Sequence, residues 1–496
     1  MPAFPGLSAR LRPFFALLVV LGVLLGAAAQ TAPQTEQTPA QPRPPHAAEP
    51  EQHPTPPTSV TDNEASKPIT KAEAKALFRS VDEILDFVSH DTGLPVKHKV
   101  KRKLITRKQV ERYVAKNLEN DQNAQRLERE KLVLVKFGMI PPDYDLHAEF
   151  LKLMQEQVAA FYDPKTKTVN LLDWVQPELQ RPVLAHELTH ALQDQTVGLS
   201  KWLRAGAKQR GQLPDEQEEV VEEAQAAREN VSEGQAMLAM LDYTLAPSGL
   251  DVLKAPEIVD AMRASMTSGT DLPVIAAAPI YLRESIYMPY TFGLDFAREV
   301  LTRRGQQAAF LGALQRPPVD TLQIMRPEQY LDDKLVAPLA TPELNALIGP
   351  DYERYDFGGI GAFDIYLITR QYDPKGNAKQ YYPHWRGGYY LAAHDVHSPQ
   401  NQIALVFVTQ WDSPQAARDF AHMYRDYIPT RYPGASRLPD SCPVSKDEPE
   451  CSGQEWETSS GRVLVEIQGQ RLLVLEGFNQ TVTQRARKEL MQSRRN

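Results

Sequence analysis

Cysteine is nearly absent from this chain. Two occur in 496 residues, Cys442 and Cys451, close together and late in the sequence. With no third or fourth thiol, a four-thiolate zinc site and a cysteine-held iron–sulfur cluster are excluded. No G-x-S-x-G, no P-loop and no GxGxxG opening a strand–helix unit is present, so serine-hydrolase, nucleotide and dinucleotide readings lack their motif. An excess of basic charge is missing too. The 55 Lys+Arg stand against 63 Asp+Glu, a formal charge of -8, which is the wrong sign for broad binding to nucleic acid. What is there, 42% hydrophobic and 24% charged residues, is the composition of a soluble globular protein of more than one domain.

The N-terminus reads as an address rather than as part of the fold. Arg10 and Arg12 precede an apolar run from Phe14 to Leu25, and Gly26, Ala27, Ala28 and Ala29 follow. A basic start, a short apolar run and an A-x-A end compose a secretory signal peptide over residues 1–29. The run is short for a spanning helix, which needs about 20 apolar residues; an uncleaved anchor is the alternative. No Cys follows the cleavage point, which argues against a lipid anchor. Cleavage after Ala29 removes two Arg and no acid, turning -8 into -10. The mature chain is expected to be secreted or periplasmic, with no stable membrane span. Export makes a Cys442–Cys451 disulfide the expected state, with two free thiols as the alternative. Residues 31–68 hold ten Pro and no aromatic, Leu or Ile. Such a segment cannot bury enough apolar surface to order itself, so 30–68 is expected to be an extended linker.

Helical periodicity starts near Lys71, where Ala76, Leu77, Val81, Ile84, Leu85 and Val88 recur at three- and four-residue spacing. Residues 96–105, VKHKVKRKLI, alternate like a strand, with Val96, Val100 and Leu104 on one face and four Lys on the other. The Lys face reads as solvated; contact with an anionic surface is the functional alternative. Thr106 and Gln109 have capping-box spacing and predict a helix start. These elements form an N-terminal α/β region over 69–144. A helix over 145–160, a hairpin over Phe161–Leu172 with a DPKT turn, a helix over 179–196, a long acidic helix over 215–246 and mixed helix to 345 are expected next. Beyond 355, Tyr, Trp, Gly and Val become common and runs such as IALVFVT and RVLVEI alternate. This predicts an α+β C-terminal domain with an antiparallel sheet over 346–496.

The chemistry lies at residues 186–190, His-Glu-Leu-Thr-His, within VLAHELTHALQDQ. Residues four apart on a helix share a face, so His186 and His190 can offer one imidazole each to a single metal ion. Glu187 sits about 100° around the helix, within reach of a water on that ion rather than of the ion itself. A zinc ion lowers the pKa of such a water to about 7, and a carboxylate can take its proton and pass it to a leaving amine. A helical wheel puts Leu184, Leu188, Ala191 and Leu192 opposite the two His, and so predicts one core face and one reactive face. It also puts Gln193 on the His face and Asp194 near Glu187.

Two His leave a catalytic zinc one protein ligand short. A third His six residues on is absent, since Thr196 stands there, and no His occurs between His190 and His384. The acidic helix EEVVEEAQAARENVSEGQAMLAML supplies Glu222, Glu229 and Glu233 on one face. Glu233 is followed by Gly234 and surrounded by Ala236, Met237 and Met240. A carboxylate on an apolar stretch needs a cation or a proton, so Glu233 is the expected third ligand, with Glu229 as the alternative. Glu222, Glu223 and Glu229 read as the more solvated part of the helix.

H-E-x-x-H followed by a Glu on a downstream helix resembles the gluzincin division of zincin metallopeptidases, to which thermolysin belongs. The wider words AHELTHALQDQ and ARENVSEGQA, then YMPYTFGLDFAREVL and PPVDTLQIMRPEQYL, look like a group of secreted bacterial gluzincin-like proteins. The resemblance covers residues 145–335 well and 355–480 more loosely. It implies one Zn2+ per chain held by His186, His190 and Glu233, with Glu187 as general acid/base. It also implies that the strand before the active helix, within Phe161–Leu172, pairs with an extended peptide. Two departures stand out: Glu233 lies 43 residues after His190, and Met237 stands where thermolysin-like enzymes carry a carboxylate that orients a zinc His. Asp194, Glu229 and Asp242 are the candidates for that orienting role. Arg283, Tyr287 and Tyr290 are the candidates for stabilising an oxyanion.

The expected architecture is α+β: a mostly helical zincin-like catalytic region with a small edge sheet over 145–345, followed by the α+β C-terminal domain. The expected function is an exported zinc metallopeptidase that hydrolyses peptide bonds of a peptide or protein substrate through a zinc-activated water. The alternatives are a zincin-fold envelope binding protein with structural or lost zinc, and a zinc hydrolase acting on a non-peptide bond. His384, His394 and His397 do not have a recognised ligand spacing and are expected to make ordinary hydrogen bonds. Trp385, Arg386, Gly387, Gly388, Trp411 and Asp412 read as turns and strand ends that define the C-terminal domain.

Overall fold

The structure is a computed structural model and describes residues 68–118, 121–157, 160–206, 215–267, 273–398, 402–439 and 452–491. The expected signal peptide, the Pro-rich stretch up to residue 67 and both cysteines lie outside them. Among the described residues, no helix is long and apolar enough to cross a membrane.

Helix α1 (Lys71–Thr92) begins at a capping box: Thr70 Oγ1 accepts the Glu73 N–H, and Glu73 accepts the Thr70 N–H. Its predicted stripe Leu77, Val81, Ile84, Leu85 and Val88 is buried. Strand β1 (Lys101–Ile105) is shorter than the alternation predicts. The N–H groups of Lys97 and His98 both go to Gln195 Oε1 instead of to a neighbouring strand, which leaves Val96 exposed. Lys101 and Lys103 face solvent, and charge on an edge strand blunts pairing with other chains. The Thr106–Gln109 box forms as expected and opens α2 (Arg107–Leu118), which is followed by α3 (Asp121–Lys136) and α4 (Leu146–Gln157).

Strands β2 (Ala160–Asp163) and β3 (Thr168–Leu172) make the predicted hairpin. The sheet order is β1-β3-β2, with β1 parallel to β3 and β2 antiparallel to it. The strand that immediately precedes the next helix is therefore central and has no free edge; the free edges are those of β1, which carries exposed Lys, and of β2. Helix α5 (Pro177–Val197) starts with Pro at its first position, where no N–H is needed, and stops at Gly198 in the left-handed conformation. Helix α6 (Asp215–Leu245) is the long acidic helix. Helix α7 (Ile280–Met288) runs into a π-turn (Pro289–Gly293) and then α8 (Leu294–Arg304).

The C-terminal part is a seven-stranded sheet. It comprises β4 (Tyr352–Gly359), β5 (Trp385–Asp395), β6 (Ile403–Trp411), β7 (Ser436–Arg437), β8 (Ser452–Thr458), β9 (Gly461–Gln468) and β10 (Arg471–Glu476) in the order β4-β5-β6-β10-β9-β8-β7. Every pairing is antiparallel. Side chains alternate between its two faces. Tyr389, Leu391, Val406, Val408 and Leu473 pack under the short helix Leu344–Ile348 and the C-terminal helix Gln480–Met491. The helix Leu344–Ile348 thus belongs with this sheet and spans the boundary expected at 345/346. Tyr390, Ala392, Leu405, Phe407, Val465 and Val474 enter the same hydrophobic core as α1, α5 and α6, so the helical and C-terminal parts share one apolar interior. The fold is α+β, as expected.

A buried charge cluster crosses this junction. Glu476, at the end of β10, pairs with Arg431 and accepts from the hydroxyls of Tyr424 and Tyr432, with Lys136 of α3 nearby. Full pairing is the condition under which buried charges are tolerated.

Candidate metal centre

Helices α5 and α6 pack side by side, and the centre forms between them. His186 Nε2 and His190 Nε2 lie 3.0 Å apart. Glu233 Oε2 stands 3.1 Å from the first and 3.5 Å from the second. These three ligand atoms converge on one point, and the group could hold a metal ion. Ligands about 2.0–2.1 Å from a tetrahedral cation stand roughly 3.3 Å from one another, so the donors already have the spacing such an ion needs. Glu229, one turn earlier, is buried but lies outside the converging group; the structure brings Glu233 to the two imidazoles.

The electrostatics are those of a site built around positive charge. Burial would raise the Glu233 carboxyl, but the His190 charge and hydrogen bonds from both imidazoles outweigh it and hold the pKa near about 2. Burial opposes a charge on His190, yet Glu233 and Glu187 raise its pKa to about 9. Burial depresses His186. In the metal-free protein one imidazolium, His190, thus neutralises the Glu233 carboxylate.

Orientation of His190 comes from neutral side chains. Its Nδ1 stands 2.9 Å from Gln193 Oε1. An amide oxygen only accepts, so Nδ1 carries the proton and Nε2 is free to turn to the metal position. Ser232 Oγ donates to the same Gln193 oxygen and stands 3.3 Å from Nδ1. Gln193 Nε2 donates to Ser232 O and to Gln235 Oε1. The wheel had put Gln193 on the His face; the role of Ser232, adjacent to Glu233, was missed, and its one sequence signal is that adjacency.

The three carboxylates expected to orient a His are elsewhere. Asp194 accepts from Tyr162 Oη at 2.8 Å, from Leu199 N–H at 2.9 Å and from Lys167 Nζ. Asp242 accepts the Val252 N–H after the end of α6, and burial raises its pKa to about 6. Glu229 lies apart from the group, as above. Among the oxyanion candidates, Tyr290 stands against the site. It is buried in the π-turn, its ring centroid is 6.5 Å from that of His186, and burial together with Glu233 and Glu187 keeps its phenol protonated. Tyr287 is buried in α7, and Arg283 is half-buried on the same helix.

Glu187 is tied to the hairpin and feels the charge of His190. Its Oε2 accepts the backbone N–H of Tyr162 on β2 at 2.6 Å. Burial raises its pKa to about 8, although the His190 charge and the Tyr162 N–H both pull it down. The helix does not have the exposed reactive face that the wheel predicts. His186 is 0% exposed, Glu187 3%, His190 5% and Glu233 5%. The reason is that α6 covers the His side and the hairpin covers the Glu187 side.

Close backbone contact brings the π-turn to α6. A Cβ on Gly234 would meet Gly293 O at 2.1 Å, and one on Gly293 would meet Asn230 O at 2.6 Å. Only glycine at both positions lets Tyr290 and Glu233 sit on neighbouring turns. Farther up α6, Glu222 and Glu223 are buried rather than solvated. Glu222 Oε2 accepts the Gly359 N–H, and Glu223 Oε2 accepts the N–H and hydroxyl of Thr321. A Cβ on Gly361 would overlap Glu223 Oε1 at 2.1 Å. Of the Glu run that reads as a wet helix face, Glu222 is thus an anchor for the C-terminal part and Glu223 for the segment at Thr321.

His384, His394 and His397 do not come together as a ligand group among the described residues. His384 Nδ1 bonds Asp412 Oδ2, His394 Nδ1 contacts Gln402 O, and His397 is exposed. Trp385 and Trp411 are buried and paired across β5 and β6, and Arg386 reaches Asp412, in keeping with a fold-defining role. A family model described as a domain of unknown function (DUF8575) matches residues 352–487, which hold all seven strands of the C-terminal sheet. No curated protein matches the chain, and no solved structure does.

Proposed function

We propose that this chain is an exported zinc metallopeptidase of gluzincin type that hydrolyses peptide bonds. The observation that carries the reading is the convergence of His186 Nε2, His190 Nε2 and Glu233 Oε2 within 3.0–3.5 Å, with Glu187 beside them on the same helix. Two imidazoles and one carboxylate are the protein donor set of a catalytic zinc. When bound, the metal supplies Lewis-acid polarisation and acidifies water. Glu187, buried one residue from a metal ligand, serves as proton carrier, taking a proton and returning it. The Tyr162 N–H holds that carboxyl in place. The Tyr290 hydroxyl, kept protonated by burial, is the donor for a developing oxyanion. The edge of β2 is the candidate for pairing with an extended substrate.

The burial of all four polar groups favours a second reading, a zinc hydrolase for a small non-peptide substrate or a site with structural zinc. Elemental analysis of the purified chain separates these. The proposal expects close to one zinc per chain and cleavage of a peptide library that Glu187→Gln abolishes. Zinc without cleavage of any peptide supports the second reading. No zinc after refolding with the metal supplied removes both.

A further inference from the structure

Gln180, Glu187 and Asp194 lie seven residues apart on α5. Seven residues are nearly two turns, with a drift of only about 20°, so the three side chains form one stripe along the helix. All three are buried, and all three hold the hairpin. Gln180 binds the end of β3 on both sides of its amide: Oε1 accepts the Leu172 N–H at 3.0 Å, and Nε2 donates to Leu172 O at 2.8 Å and Val175 O at 2.6 Å. Asp194 binds the opposite end through Tyr162 Oη and Lys167 Nζ. Lys167 itself sits in the left-handed region at φ 57, a conformation that costs a non-glycine residue energy and persists where neighbours hold it. Between these two anchors lies Glu187, on the Tyr162 N–H.

We infer that Gln180 and Asp194 are positioning residues, a two-point clamp that fixes the height of β2 above α5 and thereby the orientation of Glu187. Tyr162 is the shared part: its phenol is held by Asp194 and its N–H holds Glu187. A carboxylate that satisfies three donors on its own hairpin and helix end is spent on geometry. Gln180 imitates a strand partner for Leu172, so the hairpin cannot slide along the helix without breaking it. The catalytic consequence rests on the hydrolytic reading of Glu187 given above; the clamp itself does not.

The test uses the full chain with zinc bound and three variants, Asp194→Asn, Tyr162→Phe and Gln180→Met. Backbone amide exchange is read residue by residue. Asp194→Asn and Tyr162→Phe are expected to speed exchange at Tyr162 by about tenfold or more, as a local opening would, while α6 amides and zinc content stay as in the parent. Combining the two is expected to add little to either alone. Gln180→Met is expected to do the same at Leu172. Turnover of a cleaved peptide is expected to fall by about 10²-fold for Asp194→Asn, the scale of a displacement near 1 Å, with most of the loss in kcat. Exchange within twofold of the parent at Tyr162 in both variants overturns the clamp; should Asp194→Asn fail to fold, Tyr162→Phe decides alone. Faster exchange in the variants, with a parent that cleaves no peptide, supports the clamp and removes the peptidase reading instead.

Discussion

Gly234 and Gly293 press backbone against backbone, so that a methyl group on the first would come within 2.1 Å of the carbonyl oxygen of the second. Glu233 precedes one of these glycines, and Tyr290 stands one turn before the other. Their contact sets how near the phenol comes to the carboxylate. Gly234→Ala is expected to force the π-turn off α6 and to destabilise the protein by about 1–3 kcal/mol, as overpacking does. Thermal unfolding and zinc content check it together: both fall, whereas an unchanged melting temperature would show that the contact yields cheaply.

Glu233→Ala is expected to weaken zinc binding strongly, because it removes one of three donors and the charge that pairs with His190. Competition with a chromophoric chelator measures it. Affinity equal to that of the parent would move the third ligand to another residue, Glu229 first.

Metal must displace a proton from His190. That imidazole is protonated below its raised pKa of about 9, and only its neutral form is a ligand. Zinc affinity is therefore expected to rise by about tenfold per pH unit between pH 6 and 8, with about one proton released per ion. Calorimetric titrations in buffers of different ionisation enthalpy count that proton, and zero release would contradict the imidazolium–carboxylate pair.

Glu223 gives a stability prediction with a definite sign. Burial and the Asp364 charge raise its pKa from 4.5 to about 7. Between those values the folded protein keeps a proton that the unfolded chain has released, so the stability associated with it declines as pH rises through about 7. Glu223→Gln keeps an acceptor for Thr321 and has no charge to bury. It is expected to stabilise the protein by on the order of 2 kcal/mol at pH 8 and by little at pH 4.5. Denaturant unfolding at the two pH values decides it; an equal gain at both would assign the effect to packing.

Much of the site was legible because it is helical. The H-E-x-x-H spacing puts His186 and His190 on one face whatever surrounds the helix, and Glu233 stands out as an acid among Ala and Met. The Thr106–Gln109 cap and the DPKT hairpin are equally local. What misled was tertiary. Glu222 and Glu223 read as solvated because a Glu run on a helix ordinarily is; the backbone groups they bind, at Thr321 and Gly359, lie far along the chain. The orienting role fell to Gln193 and Ser232 because a search for carboxylates passes over neutral acceptors. Which strand within Phe161–Leu172 keeps a free edge was not legible, because β1 arrives in parallel from an earlier part of the sequence and covers β3.

One face of the seven-stranded sheet lies in the same apolar interior as α5 and α6, and its cover is shared: the helices Ala362–Tyr372 and Pro414–Arg431 of the segment matched by the DUF8575 model supply part of it, and Phe137 of the helical part, whose ring meets Tyr390 and Phe407, supplies another. Cut out at residues 352–487, the segment would lose the Phe137 side of that cover, and newly exposed apolar surface recruits other chains. Because the helical and C-terminal parts share that interior, protease digestion under native conditions is expected to trim ends and loops and not to release a soluble C-terminal fragment.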